Sequence, residues 1–159
     1  MGVEKKTNAM RLLEAAGIAF EDFHYDAADG EIDVRSVARK IGQPVGQVFK
    51  TLVTTSPDNE LFVFVVSGEN ELDLKKAAHV AKVKSIAMLH SKKLLPLTGY
   101  IHGGCSPVGM KKAYPTFIDE TAILYDRIFI SGGMIGLNLA VSPSALADYI
   151  GAEFADIGE

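Results

Sequence analysis

Val48-Phe49-Lys50-Thr51-Leu52-Val53-Thr54-Thr55, then Ser56-Pro57-Asp58-Asn59, then Leu61-Phe62-Val63-Phe64-Val65-Val66-Ser67 is the stretch on which the fold turns. The first part alternates and is rich in β-branched residues, as a pleated strand requires. The second has turn chemistry, and the third is a short apolar run suited to a buried strand. Together they predict a β-hairpin. The run over 61–66 is the longest apolar one in the chain and is far too short to cross a bilayer, so no membrane association is expected.

Working outward toward the N-terminus, Asp33 is placed to cap a helix with Val34, Val37, Ala38 and Ile41 on one face, and Gly42 ends it. A strand over 20–25 precedes it. Before that, Thr7 caps a first helix carrying Ala9, Leu12, Leu13 and Ala16, closed by Gly17. In the other direction, Asp73 opens a helix with Leu74, Ala77, Ala78 and Ala81 inward and Lys75, Lys76 and Lys82 outward. A short strand over 84–88, a short helix over 91–95 stopped by Pro96, and a strand over 100–104 follow. Further strands are expected over 116–118, 128–131, 137–141 and 153–156, with a helix opening at Ser142-Pro143. Hairpins alternate with helices too irregularly for a doubly wound parallel sheet. The expectation is a single α/β (α+β) domain over 1–159. It would have a curved, mixed, mostly antiparallel sheet, barrel-like, with helices packed outside.

A chain of 159 residues, 48% hydrophobic and 23% charged, can bury a core without staples. No apolar export region is seen at the N-terminus, and Gly2 has Lys6 where a myristoylation site wants Ser or Thr. One cysteine excludes an internal disulfide and fits a reducing cytoplasm.

Charge is distributed unevenly. Between Leu74 and Thr116 there are eight lysines and no Asp or Glu, whereas the segments on either side each carry a balance of −6. Lysines scattered for solubility are one reading of this; a local contact with a polyanion is the other. The acidic flanks argue against coating duplex DNA, which rests on many phosphate neutralisations. Inside the basic segment lies Gly103-Gly104-Cys105-Ser106-Pro107-Val108-Gly109-Met110-Lys111-Lys112. A glycine turn beside lysines offers bare backbone amides to a phosphate or a carbonyl oxygen. The two features together point to a pocket for the end of a nucleotide chain.

Three groups invite chemistry. By alternation Lys50 shares a strand face with Val48 and Leu52. It is either an edge lysine whose stem reaches solvent or a cation held in a cleft against a phosphate or oxyanion. Cys105 sits in a glycine turn near lysines, which would favour the thiolate. Strand alternation would place its closest candidate base, His102, on the opposite face, so a small packing residue is the preferred reading. The segment Ser131-Gly132-Gly133-Met134-Ile135-Gly136 is either an anion cradle or a tight hairpin turn. The four histidines show no ligand spacing and no cysteine pair exists, so neither metal nor cofactor is expected.

Several motifs in order resemble the YbaK/EbsC family of Cys-tRNA(Pro) deacylases, freestanding editing domains related to the insertion domain of prolyl-tRNA synthetase. They are Gln47-Val48-Phe49-Lys50-Thr51-Leu52, Leu72-Asp73-Leu74-Lys75-Lys76, Thr98-Gly99-Tyr100, the run from Gly103 to Lys112, and Ile130-Ser131-Gly132-Gly133. The resemblance runs nearly end to end. It implies a cytoplasmic enzyme that breaks the ester joining cysteine to tRNA(Pro), an error arising because pockets discriminate poorly between residues of similar size. Lys50 would hold the terminal adenosine and its phosphate. Gly103, Gly104, Cys105, Ser106 and Pro107 would line the aminoacyl pocket, Ser131 and Gly132 a second wall, with Tyr25 near the mouth and Lys111 and Lys112 on tRNA phosphates. Asn138 stands at a substrate-binding position where the family commonly has an acid, and Met134-Ile135 where it commonly has a basic pair. The implied chemistry is substrate-assisted, the thiol of the attached cysteine attacking its own ester, so the enzyme would be a hydrolase or a thiolactone-forming lyase. Prolyl-tRNA synthetase is the implied partner. The alternatives are a non-catalytic tRNA- or nucleotide-binding adaptor, a deacylase for another small amino acid such as alanine, and a thiol hydrolase using Cys105.

Overall fold

A computed structural model describes residues 6–159, and the reading of Gly2 lies outside them. The expected hairpin is formed by β2 (Phe49–Thr55) and β3 (Leu61–Ser67), in register from Phe49 opposite Ser67 to Thr55 opposite Leu61. Asn59 takes a left-handed conformation in the turn (φ 63°), and the Ser56 N–H donates to the Glu60 carbonyl at 2.9 Å. β3 reads as continuously apolar because it lies inside a five-stranded sheet with both faces covered. Phe62, Phe64 and Val66 meet helix α3 (Leu74–Ala81) through Ala77 and Ala78, while Val63 and Val65 face the other way. Each such side chain stabilises the fold by about 1.5–3 kcal/mol relative to exposure.

The five-stranded sheet has the order β4-β2-β3-β5-β8, with β4 (Ala87–Met88), β5 (Thr116–Asp119) and β8 (Glu153–Ala155). β5 runs parallel to both β3 and β8; the other pairs are antiparallel. A second, three-stranded antiparallel sheet has the order β1-β7-β6, from β1 (Phe20–His24), β6 (Ile128–Ser131) and β7 (Leu137–Val141). The mixed, mostly antiparallel α/β expectation therefore holds. The barrel-like expectation does not, because neither sheet closes. Backbone pairing joins the sheets at one parallel bridge, Val48 to Phe129, while Phe49, Val65 and Ile118 of the first share the largest core cluster with Ile128, Ile130 and Leu139 of the second. Closure needs an unbroken ladder around the ring, and the outer strands β4 and β8 are only two and three residues long.

Helices lie on the sheet faces. α1 (Asn8–Ala15) and α5 (Pro143–Ile150) bring Ala9, Leu13, Leu146 and Ala147 into the largest core cluster. α2 (Val34–Ile41) brings Ala38 against Val48, Phe129 and Ala140. The anticipated caps are present: Thr7, Asp33, Asp73 and Ser142 each accept from backbone N–H groups of the helix they open.

Three local expectations fail. The helix α4 (Ser91–Thr98) runs through Pro96 rather than stopping before it. A proline that far along forfeits only its bond to the Lys92 carbonyl, and Thr98 Oγ1 donates to the Leu94 carbonyl at 2.6 Å to hold the last turn. Residues 100–104 form no strand. Gly103 adopts a positive φ of 86°, and the Gly104 N–H donates to the Ile101 carbonyl at 3.0 Å, closing a turn instead. Leu74, expected inward, is exposed at the first position of α3, before the helix reaches the sheet.

Candidate active site

Between the two sheets, β2 has a free edge. Val53 accepts from the Leu89 N–H on the side away from β3. By the two-residue alternation, Thr51 turns its N–H and C=O to that same side, where no strand of the five-stranded sheet pairs with it. A cleft of about 440 Å³ lies there. It gathers Tyr25, Lys50, Gly103, Cys105, Ser131 and Asn138, six of the residues singled out in the sequence, from five separate segments.

Lys50 is positioned by the β2–β3 ladder opposite Val66, and its side chain is 20% exposed. Its ammonium lies 3.3 Å from the Glu71 carboxylate, whose side chain is 76% exposed. Solvent screens so exposed a partner, and a pair of this kind contributes at most about 1 kcal/mol. An arriving phosphate can therefore displace Glu71. Lys50 lines the cleft rather than standing at an open edge.

The turn over 103–107 is held from behind. Ser106 and Pro107 are buried, and Ser106 Oγ accepts from the Val108 N–H at 3.2 Å. The Tyr100 hydroxyl donates to the Val108 carbonyl. Gly104 packs against the second glycine turn so closely that a Cβ there would sit 3.0 Å from the Ile135 nitrogen and 3.1 Å from the Met134 carbonyl carbon. Gly103 and Cys105 line the cleft, and their N–H groups have no acceptor among the described residues. Free amides on a rigid turn are what an oxyanion requires.

In that second turn, the Ser131 hydroxyl accepts from the Gly133 N–H at 3.2 Å, and the Gly132 carbonyl accepts from Thr7 Oγ1 at 2.6 Å. The turn is thereby tied to the cap of α1. It joins β6 to β7 as a hairpin connection, and its Ser131 also lines the cleft.

The structure brings some expected residues into the cleft lining and leaves others out. Gly104, Ser106, Pro107 and Gly132 lie behind the wall they support rather than in it. Lys111 and Lys112 are exposed and outside the lining; Lys111 Nζ donates to the Pro96 carbonyl at 3.1 Å, at the end of α4. Cys105 faces the cleft, but burial pushes its thiol up to about 12. This reverses the expectation that nearby lysines favour the thiolate. His102 also lines the cleft, so the alternation argument that separated it from Cys105 has no basis, since the segment is a turn.

Other lining residues escaped the sequence reading: Arg35, Thr51, Glu71, and the wall formed by Met88, Leu89, Ser91 and Leu94. Glu71 adjoins the Leu72-Asp73 motif and could have been noticed there; the wall from β4 and α4 had no local signal. Two buried polar atoms in the lining, Thr51 Oγ1 and Asn138 Oδ1, have no hydrogen-bond partner. Such a group costs about 1–3 kcal/mol when left unsatisfied. Asn138 is only 6% exposed, placed by β7 opposite Ser131 and Phe23. Among the described residues no cluster of His, Cys, Asp or Glu could hold a metal ion, and no helix is long and apolar enough to cross a membrane.

The profile of the family described as aminoacyl-tRNA editing domain matches residues 31–149, which contain every cleft residue named above except Tyr25. This chain belongs to that family. A curated protein of Enterococcus faecalis named "Putative Cys-tRNA(Pro)/Cys-tRNA(Cys) deacylase EbsC" is 40% identical over 97% of this chain and 94% of its own length. The sequence resemblance to the YbaK/EbsC proteins is thus confirmed. A proline–tRNA ligase of Shouchella clausii is 30% identical over 60% of this chain and 16% of the ligase. A solved structure described as a "putative trans-editing enzyme for prolyl tRNA synthetase" matches with a TM-score of 0.83 and 28% identity, over 96% of this chain and 98% of its own.

Proposed function

We propose that this chain is a single-domain, trans-acting deacylase that removes cysteine mischarged onto tRNA(Pro) in the cytoplasm. The observation that carries the reading is the meeting of the Lys50 ammonium with the unengaged N–H groups of Gly103 and Cys105 in one cleft. A cation and paired amide donors there suit a terminal nucleotide phosphate and an ester carbonyl next to it. The names borne by the Enterococcus faecalis relative and by the solved trans-editing structure support the same substrate.

In the proposed reaction Lys50 holds the terminal phosphate and adenosine, displacing Glu71. The ester carbonyl points at the Gly103 and Cys105 amides, and Ser131, Asn138 and Tyr25 contact the aminoacyl group and the mouth. The thiol sulfur of the attached cysteine attacks its own carbonyl carbon. The carbon–oxygen ester bond then breaks, the ribose oxygen leaves carrying the proton lost by the thiol, and cysteine departs as a thiolactone that water opens. No protein nucleophile takes part, in keeping with a Cys105 thiol held neutral by burial. Clamping the substrate in this geometry supplies on the order of several kcal/mol by proximity alone. Lys111 and Lys112 would meet tRNA phosphates beyond the cleft, and prolyl-tRNA synthetase would supply the choice of tRNA.

The test is a panel of tRNAs carrying Cys, Ala, Ser or Pro, scored for release. Cys-tRNA(Pro) is expected to clear fastest, and Lys50→Ala to slow it by about a hundredfold or more, the usual scale for losing an electrostatic anchor of the transition state. Equal rates for Lys50→Ala and the unaltered protein would refute the reading.

A further inference from the structure

The cleft is large enough for a terminal nucleoside and an amino acid and for little else, so any RNA bearing them must cross its rim. The two banks of that rim differ. One carries Asp33 and Glu71 alongside Arg35. The other is the corner where β4 leads into α4: Met88, Leu89, Ser91 and Leu94 line the cleft, and between the last two lie Lys92 and Lys93, both exposed. Neither lysine has a hydrogen-bond or ion-pair partner for its ammonium among the described residues. No acid lies in the chain between Asp73 and Asp119 to supply one.

We propose that this β4–α4 corner is the RNA docking surface, with Lys92 and Lys93 taking two backbone phosphates of the single-stranded end as it leaves the cleft. The inference rests on the deacylase reading and assigns that substrate a path. The first turn of α4 holds no acidic residue, and two cations at the positive end of a helix are held there against its dipole. Lys111 is less suited to the role, because its ammonium already serves the Pro96 carbonyl at the far end of α4. Phosphates crossing the opposite bank would meet the Asp33 and Glu71 carboxylates. Met88 and Leu95, 49% and 52% exposed, offer apolar surface for base faces beside the two lysines.

The experiment measures binding of labelled, uncharged tRNA to the full chain across a salt series. It compares Lys92→Glu/Lys93→Glu with Lys111→Glu/Lys112→Glu, thermal midpoints confirming that both fold. For the first double variant, affinity is expected to fall at least about tenfold and the slope of log K against log salt to shrink by about 1.4, or 0.7 per lost single-strand phosphate contact. The second is expected to change both less. Unchanged affinity and slope in the first variant, or a larger effect in the second, would overturn the assignment. Cleavage of a cysteinyl ester of adenosine monophosphate by the unaltered protein, which keeps the phosphate that Lys50 holds and needs no RNA docking, tests the deacylase reading separately. If that ester survives, the chemistry is wrong whatever the lysines do; if it is cleaved and the salt slopes match, the docking surface alone is wrong.

Discussion

Cys105 illustrates how a residue's chemistry follows from its surroundings rather than from its type. A thiol near lysines reads as reactive, yet burial drives its ionisation up to about 12, so almost none is thiolate at neutral pH. Alkylation by iodoacetamide at pH 8 is therefore expected to be slow in the folded protein and fast after unfolding in guanidinium, followed by mass spectrometry. Losing a true nucleophile lowers turnover by on the order of a millionfold, whereas Cys105→Ala, which keeps the backbone N–H, is expected to stay within about tenfold. Rapid labelling of the folded protein, or loss of turnover in the alanine variant, would restore the thiol-hydrolase alternative. Lys50 makes the complementary point. Alternation placed it on a face but left open whether that face met solvent or a cleft, because the answer depends on the second sheet.

At the level of elements, the site depends on two glycine turns packed back to back. The 103–104 turn approaches the 134–135 backbone so closely that Gly104 admits no Cβ without displacing main-chain atoms. Gly104→Ala is expected to destabilise the fold by about 1–3 kcal/mol, the range for forced overpacking, and to impair turnover at temperatures where the chain remains folded. Chemical denaturation with parallel kinetics would check this; a variant with unchanged stability and rate would show that the contact between the turns is dispensable. The helices were legible because their signals are local, as with Asp33 before Val34 and Gly42 after Ile41. The segment over 100–104 misled because β-like composition says nothing about Gly103 taking a positive φ. Pro96 misled because a proline in a short helix costs less than the break it is taken to mark.

For the molecule as a whole, the buried acids of the core impose a pH limit. Burial raises the Tyr100 hydroxyl to about 12, with Cys105 adding to the rise, and the Cys105 thiol to about 12 as well. Unfolded, these groups lose their protons near 10 and 9. The folded chain therefore holds protons that the unfolded chain has released. Stability tied to this retention is complete below pH 9 and is lost as pH rises toward 12. Lys76, raised by its hydrogen bond to Asp156, moves in the same direction. Denaturation midpoints are expected to fall steadily above pH 9, and in Cys105→Ala the fall should begin closer to pH 10. A flat profile from pH 9 to 11 would contradict the burial of both groups.

The sequence by itself determined the strands, caps and hairpin, the acid-free basic segment and the motifs that carry the family. All of these rest on interactions within a few residues of chain or on composition. Only the tertiary structure decided that the two sheets stay open, share a core and pair at one bridge, and that β2 keeps a bare edge between them. The same arrangement brings Lys50, Asn138, Gly103 and Cys105 to the lining of one cleft, with Ser91 and Leu94 of α4 in its wall. Those outcomes depend on which distant surfaces pack together, a competition among burial, closure and edge pairing that no local pattern encodes.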